Sequence, residues 1–336
     1  MVEVKFQFPM LMAQFRKPTK WMWDAGRKWE NCLKKFGDIG IVIGMFCMPL
    51  AFAFLLQASW SLLSGGGAQI AVMIPGVAVP GTNFRLPVVE GLVAIFLIAV
   101  FHEGMHGLMA AAHGVKSKFS LILLLVIPAA GVEIDEKVLA DMKKKDRLRV
   151  LSAGSMGNFI LALLAVGAFF IAAPIVESHA EFQGVEILNV SNPAIGLAPG
   201  DVVTGIEGRQ VKDLESLVEA MEDVAGGQEI TIETANGTVT GRTVEEDGKA
   251  MLGVLLTPKM EMSRGWRYAA RATGFLLLLF NLNLGVGIIN LLPAGFLDGG
   301  RMLEDLLGEW GKKIGRVALL LLLANVFLPY VLLWSG

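Results

Sequence analysis

Two histidines and a glutamate lie close together in an apolar part of the chain, in the run Val100-Phe101-His102-Glu103-Gly104-Met105-His106-Gly107. On a helix, residues four apart share a face, so His102 and His106 can bind one zinc ion while Glu103 reaches the water that the metal activates. Between residues 86 and 112 the only other charged residue is Glu90, and this window is long enough to cross a bilayer. Ionisable groups at membrane depth are costly and mark functional sites. The pattern predicts a metal-dependent hydrolase whose site lies within a membrane span.

The composition is that of an integral membrane protein. Of the 336 residues, 54% are hydrophobic and 18% are charged, whereas typical soluble domains have about 25% charged residues. The mean hydropathy is +0.58. The net charge of −2 says nothing about a nucleic-acid partner, but the sequence has no basic, aromatic stripe, so none is expected. The lipid bilayer is therefore the expected surrounding.

The sequence predicts an α-helical polytopic membrane protein. Stretches of 18 or more apolar residues with few charges are candidate spans. Five occur, at about Ile39–Leu63, Leu86–Ala112, Val150–Ile175, Thr273–Leu292 and Val317–Trp334. Residues 1–38, which precede them, carry three tryptophans and eight Lys/Arg. This composition predicts a basic, amphipathic segment that lies at the membrane interface.

The basic residues of the loops predict the orientation. Residues 1–36 carry eight Lys/Arg, 64–85 one, 113–149 eight and 301–316 four. Because cytoplasmic loops hold the excess of positive charge, we expect the N-terminus and the 113–149 and 301–316 segments in the cytoplasm. Residues 177–262 then lie on the extracytoplasmic side.

A second apolar run, from Phe119 to Gly131, is too short to span a bilayer and contains Pro128. Runs of this length are typical of core or re-entrant elements. Non-helical backbone at membrane depth needs protein or water around it. We therefore expect a re-entrant strand or hairpin beside the metal site, with a free edge for an extended peptide within Phe119–Val132.

Residues 177–262 differ in character, because charged residues return and one helix is predicted at Asp213–Val224. Short alternating stretches predict strands around it, at Val185–Val190, Glu229–Thr234, Thr238–Val244 and Ala250–Leu256. About 85 residues suffice for a small α+β domain. The run 192–211, with Gly196-Leu197, Gly200-Asp201-Val202-Val203 and Ile206-Glu207-Gly208, resembles the PDZ domains of membrane-bound and periplasmic proteases. The resemblance implies a PDZ-like domain that binds a peptide or C-terminus, with a groove near Gly196 and Leu197.

Zinc in a hydrolase needs a third protein ligand and an open position, and the sequence supplies Asp298 as the candidate. Its motif is Asn290-Leu291-Leu292-Pro293-Ala294-Gly295-Phe296-Leu297-Asp298-Gly299-Gly300, at the predicted cytoplasmic end of the fourth span. HExxH on one span and Asn-x-x-Pro-x-x-x-Leu-Asp-Gly on a later one resemble the site-2 protease family, whose bacterial and archaeal members carry an inserted PDZ domain. The resemblance extends over about residues 86–310.

This resemblance implies roles for particular residues. His102, His106 and Asp298 would bind Zn²⁺, and Glu103 would act as general base and then as general acid. Asn290 matches the asparagine that hydrogen-bonds the substrate near the scissile bond; an alternative is that its amide holds an unwound helix end beside Pro293.

Three further positions are predicted to support the site. Pro293 interrupts the helix so that Asp298 can turn inward, and Gly299 allows a close backbone approach. On the third span the sequence has Gly154-Ser155-Met156-Gly157-Asn158, in which Ser155 departs from the family's usual pattern. For Asn158 we expect a supporting or packing role rather than metal ligation.

The predicted organisation has four parts: the N-terminal segment 1–38, a catalytic core of 39–176 and 263–336, and the PDZ-like domain 177–262 between its halves. The predicted function is zinc-dependent hydrolysis of peptide bonds in or near the transmembrane segment of a membrane-protein substrate. Two alternatives are a non-catalytic scaffold that binds membrane-protein tails through the PDZ-like domain, and an HExxH membrane protease of another kind with a glutamate as third ligand.

Overall fold

The computed structural model describes residues 2–7, 10–65, 69–70, 73–77, 85–124 and 127–335. The chain divides into two compact units, Met1–Phe169 with Phe275–Gly336, and Phe170–Gly274. The second unit contains the predicted inserted domain and extends beyond it at both ends, because it includes the ends of two long helices.

Long helices dominate the first unit. In chain order the described helices are α1 (Arg16–Lys28), α2 (Glu30–Leu63), α3 (Val88–Ala112), α4 (Glu136–Asp141), α5 (Lys144–Glu177), α6 (Leu214–Met221), α7 (Arg264–Asn290), α8 (Asp298–Leu307) and α9 (Glu309–Ser335). Among the described residues, α2, α3, α5 and α7 are long and apolar enough to cross a membrane, with mean hydropathies of 1.9 to 2.7 in their most apolar windows. They overlap the first four predicted spans. The fifth prediction falls in α9, whose side chains from residue 330 onward lie outside the described ones.

Strands occur in both units. They are β1 (Val2–Gln7), β2 (Met10–Phe15), β3 (Ser117–Leu124), β4 (Ile127–Ile134), β5 (Glu181–Val190), β6 (Val202–Ile206), β7 (Arg209–Gln210), β8 (Glu229–Thr234), β9 (Gly237–Arg242), β10 (Val244–Glu246), β11 (Lys249–Met251) and β12 (Val254–Glu261). The first four form one antiparallel sheet in the order β1-β2-β3-β4.

Residues 1–38, predicted as one basic, amphipathic segment, include a hairpin as well as α1 and the start of α2. The first part of this segment forms the hairpin β1–β2, in which Val2 lies opposite Phe15, and α1 begins after it. The run Val-Glu-Val-Lys-Phe-Gln alternates apolar and polar residues, as a strand does. The tryptophans and basic residues that suggested one interfacial segment belong to α1 and the start of α2.

The apolar run around Pro128 forms the hairpin β3–β4, with Ser117 opposite Ile134 and Leu124 opposite Ile127. Residues 125 and 126, within the predicted run, lie outside the described residues. β3 is paired on both sides, because β2 joins it from Met10 to Gln14 opposite β4. β4 lies at one end of this sheet, so the free edge within the predicted range Phe119–Val132 is the outer edge of β4.

The second unit is a small α+β fold. Its sheet has the order β12-β5-β6-β8-β9, with β7 paired to β6, and its core is made of buried aliphatic side chains, among them Val185, Ile187 and Ile232. Asp213 caps α6 in a capping box, and hydrogen bonds from Ser216 hold the pKa of its carboxyl below the usual range. Leu197 belongs to this buried core, so the structure offers no open groove at that side chain.

Candidate metal centre

Three ligand atoms from two distant parts of the chain meet in the first unit. His102 and His106 lie on one face of α3, and Asp298 is the first residue of α8. Asp298 Oδ2 lies 3.3 Å from His102 Nε2 and 3.2 Å from His106 Nε2, and the two imidazole nitrogens are 3.3 Å apart. A tetrahedral zinc ion with bonds of about 2.0–2.1 Å separates neighbouring ligand atoms by about 3.3 Å. The triangle therefore has the dimensions that three zinc ligands require.

The second ring nitrogen of each histidine, Nδ1, contacts a residue of α5. His106 Nδ1 lies 2.8 Å from the carbonyl oxygen of Val150, which can only accept, so Nδ1 carries the proton and Nε2 is left unprotonated. His102 Nδ1 lies 3.2 Å from the side-chain amide of Asn158. Metal-binding histidines are ordinarily oriented by such a hydrogen bond from the other nitrogen.

Asn158 is fully buried, and its Oδ1 has no hydrogen-bond partner in the described part of the chain. The two ends of an asparagine amide are distinguished by their hydrogen bonds. With Oδ1 turned toward His102 Nδ1, the amide accepts the imidazole proton and leaves Nε2 free for a metal. Asn158 thus contacts a candidate ligand directly, as the prediction of a supporting role requires.

Gly154 lies against both imidazoles. A Cβ atom at this position would be 2.3 Å from His106 Nε2 and 2.6 Å from His102 Nε2. The sequence did not predict this contact. Gly154 and Asn158 are four residues apart and therefore share one face of α5, and this spacing was the only available signal that Gly154 lies on the same side as Asn158.

Glu103 is held beside the ligand cluster by the neighbouring sheet. Its Oε2 accepts a hydrogen bond of 2.9 Å from the backbone N–H of Val132 on β4. The carboxylate is therefore tied to β4, and Glu103 lines the same cavity as the three ligand residues. No sequence pattern indicated that a strand amide would orient this residue.

The remaining predicted residues lie around the segment that joins α7 to α8. Asn290 ends α7 and lines the same cavity as the cluster. A Cβ on Gly299 would be 2.2 Å from the carbonyl oxygen of Leu291, so only glycine allows this turn. Pro293 is buried on the other side of the segment, where it lines a separate apolar groove.

The cluster opens into a cavity of about 1030 Å³. Its apolar wall includes Leu139, Leu151 and Leu297, and its charged residues include Lys116, Glu133 and Arg301. Such a cavity has room for a peptide segment, and water can reach the ligand cluster from its polar side.

Comparison with known proteins agrees with this arrangement. The model of peptidase family M50 matches residues 90–332. An uncharacterized protein of Methanocaldococcus jannaschii is 28% identical over 305 residues, which are 84% of this chain and 77% of that protein. A protein of Arabidopsis thaliana named membrane-bound transcription factor site-2 protease homolog is 27% identical over 209 residues, or 60% of this chain and 39% of that relative. With its four apolar helices, this chain is an integral membrane protein, and it belongs to peptidase family M50, the site-2 protease family of membrane metalloproteases.

Proposed function

We propose that this protein is a zinc-dependent intramembrane endopeptidase that cleaves membrane proteins in or near a transmembrane segment. The observation that carries the proposal is the triangle of Nε2, Nε2 and Oδ2 atoms, 3.2 to 3.3 Å on each side, with Glu103 beside it. Three acceptor atoms at this spacing in a largely buried site are unfavourable unless a cation or a proton lies between them. A divalent cation removes that cost.

His102, His106 and Asp298 would hold the zinc ion. Zinc bound there supplies a Lewis acid that polarises the scissile carbonyl and makes water a nucleophile at neutral pH. The three ligands leave the side toward the cavity open, as a catalytic zinc site requires.

Glu103 would move the proton. Its Oε2 accepts a hydrogen bond from the backbone N–H of Val132, which fixes the position of the carboxylate. An ionised Glu103 takes a proton from the attacking water and then returns it to the amine that leaves. Asn290 lines the cavity, and its amide N–H groups would donate to the oxyanion that develops on the carbonyl.

The substrate must arrive unwound, because a transmembrane helix engages its own peptide groups in hydrogen bonds. Val132 donates to Glu103, so its N–H points away from β3. Backbone groups alternate in direction along a strand, so Ala130 also presents its N–H and C=O on that outer side. An unwound segment that pairs with β4 would regain the hydrogen bonds that are expensive to lose in lipid.

The same proposal includes the orientation and the inserted domain. We infer that the N-terminus is cytoplasmic and that the PDZ-like domain is extracytoplasmic, where it binds a peptide or C-terminus and restricts access to substrates with a small outer part. The partner is a membrane protein with a transmembrane segment. The excess of Lys/Arg in residues 1–36 and 113–149 supports this orientation.

Metal analysis of the purified protein tests the ligand set. We expect about one zinc per chain, and a loss of most of it in Asp298→Ala, because two histidines alone make an incomplete site. Glu309→Gln, which removes an exposed carboxylate on α9, is the matched control and should leave the zinc content unchanged. Full occupancy in Asp298→Ala would mean that the third ligand is another residue.

A further inference from the structure

A second cavity, of about 530 Å³, lies between α2, α8 and α9. Each helix lines it with residues spaced three or four apart, which is one helical face. These residues are Met45, Met48, Pro49 and Phe52 of α2, Leu303 and Leu306 of α8, and Trp310, Lys313, Ile314 and Val317 of α9. Pro293 closes one side. We call this cavity the α2–α9 groove.

One end of the groove carries a positive charge. Lys313 Nζ lies 4.8 Å from the centre of the Trp310 ring, in a cation–π contact. In the described part of the chain, Lys313 has no carboxylate within ion-pair distance. Its neighbour Lys312, in contrast, lies 2.8 Å from Glu309 and 3.5 Å from Glu304. The charge of Lys313 is therefore available to an anion at the groove.

The polar end of the groove coincides with the polar end of α9. The first turns of this helix carry Lys312, Lys313 and Arg316, and an apolar stretch begins at Val317. Tryptophan and lysine side chains concentrate at the membrane–water interface. Trp310 and Lys313 therefore lie where the headgroups of the cytoplasmic leaflet are expected, and the rest of the groove faces acyl chains.

We propose that the α2–α9 groove binds an anionic phospholipid, with the phosphate at Lys313 and one acyl chain along the apolar faces of α2 and α9. Basic pockets between membrane helices on the cytoplasmic side suit anionic headgroups. An acyl chain fits the apolar part because it brings no polar backbone group that would need a partner there. Neither the metal centre nor the catalytic cavity takes part in this site, so it is independent of the proposed proteolysis.

Native mass spectrometry of the full-length protein tests the proposal, with phosphatidylglycerol and phosphatidylcholine of identical acyl chains as probes. We expect one phosphatidylglycerol to remain bound under conditions that remove phosphatidylcholine. Lys313→Gln should weaken phosphatidylglycerol binding about fivefold, the effect of one basic side chain near an anionic headgroup. Lys312→Gln is the matched control and should change it less than twofold, because Lys312 is already paired with Glu304 and Glu309.

A second variant tests the groove itself. Ile314→Trp fills the cavity and should abolish retention of the lipid, while an unchanged circular dichroism spectrum and thermal unfolding midpoint show that the fold is intact. Three results would overturn the proposal: equal binding of the two lipids, equal effects of Lys312→Gln and Lys313→Gln, or undiminished binding by Ile314→Trp. Stoichiometric displacement of the lipid by a model transmembrane substrate would instead assign the groove to the substrate.

Discussion

Each histidine of the ligand cluster directs one ring nitrogen to the cluster and the other to α5. His106 donates to the carbonyl oxygen of Val150, and His102 contacts Asn158. These contacts set the tautomer in which Nε2 has a free lone pair. Because α5 supplies both contacts and also Gly154, a single helix orients the imidazoles from behind.

The close approach of Gly154 to both imidazoles predicts the effect of adding one methyl group there. In Gly154→Ala the added methyl group must displace His102 or His106, since it would lie within 2.6 Å of both Nε2 atoms. We expect zinc affinity to fall by about 10- to 100-fold, the range found when the orientation of metal ligands is disturbed. Competition with a chelator of known affinity measures this change.

Gly167→Ala is the matched control, because Gly167 lies on the same helix and a Cβ there meets no atom within 4 Å. This variant should bind zinc as the wild type does. Equal zinc affinities in Gly154→Ala and Gly167→Ala would show that the imidazoles do not depend on the close approach of α5.

The elements explain how residues almost 200 positions apart meet. α3 presents the histidines, α7 ends at Asn290, and α8 begins with Asp298. α8 is also tied to α5 by the ion pair between Arg147 and Asp305, at 2.5 Å. The hairpin β3–β4 adds the amide that holds Glu103.

The outer edge of β4 gives a prediction for substrate binding. Ala130→Pro removes one outward backbone N–H and replaces only the small methyl side chain of Ala130. If an unwound substrate pairs with this edge, one carbonyl group of the substrate loses its donor in Ala130→Pro. We expect this loss to slow cleavage of a model transmembrane substrate about tenfold. Zinc content should stay the same.

Ala130→Val keeps the N–H and suits a strand, so it serves as the control and should retain most of the activity. Equal rates for the two variants would contradict strand pairing at β4, and the metal site would be unaffected by that result.

The motifs on α3 and α8 could be predicted from the sequence because their chemistry depends on local spacing. Two histidines four apart need only a helix to share a face, and the segment from Asn290 to Asp298 carries its own helix-breaking residues. The spacing of Gly154 and Asn158 indicates a shared face of α5, but it does not show what that face contacts, because the approach of Gly154 to the imidazoles depends on how α5 packs against α3.

The strands were harder to predict than the helices for a similar reason. The alternation in β1 was present in the sequence, but strand pairing is non-local, and nothing near Val2–Phe15 indicated that residues 117–124 would be its neighbour. The sequence therefore could not show which of the two strands of the β3–β4 hairpin would keep a free edge. In the second unit, Gly253 has a φ of +67° and separates β11 from β12, where the alternation had predicted a single strand at Ala250–Leu256.

The whole molecule consists of a helical unit, which contains the candidate metal centre, and a small α+β unit inserted in the sequence between two of its helices. In the proposed orientation the inserted domain is extracytoplasmic, whereas residues 1–36 and 113–149 are cytoplasmic. In that proposal the inserted domain contacts the extracytoplasmic part of a substrate, and the candidate metal centre cleaves its transmembrane segment.

Cysteine labelling tests this orientation. The sequence has two cysteines, and Cys32 is exposed near the start of α2, on the predicted cytoplasmic side. In a Cys47→Ser background, Asn236→Cys places a thiol on the exposed turn between β8 and β9. On intact cells a membrane-impermeant maleimide should label Asn236→Cys and leave Cys32 unlabelled until the membrane is opened. The reverse pattern would invert the topology.

The central claim is that Glu103 moves the proton at a zinc site formed by His102, His106 and Asp298. The most direct measurement is the rate at which zinc-loaded Glu103→Gln cleaves a model transmembrane substrate, with zinc content determined on the same sample. Glutamine can still accept the hydrogen bond from Val132 N–H but cannot take a proton from water, so we expect full zinc occupancy and a rate lower by about 10²–10⁴-fold. A zinc-loaded Glu103→Gln protein that cleaves at the wild-type rate would contradict the account.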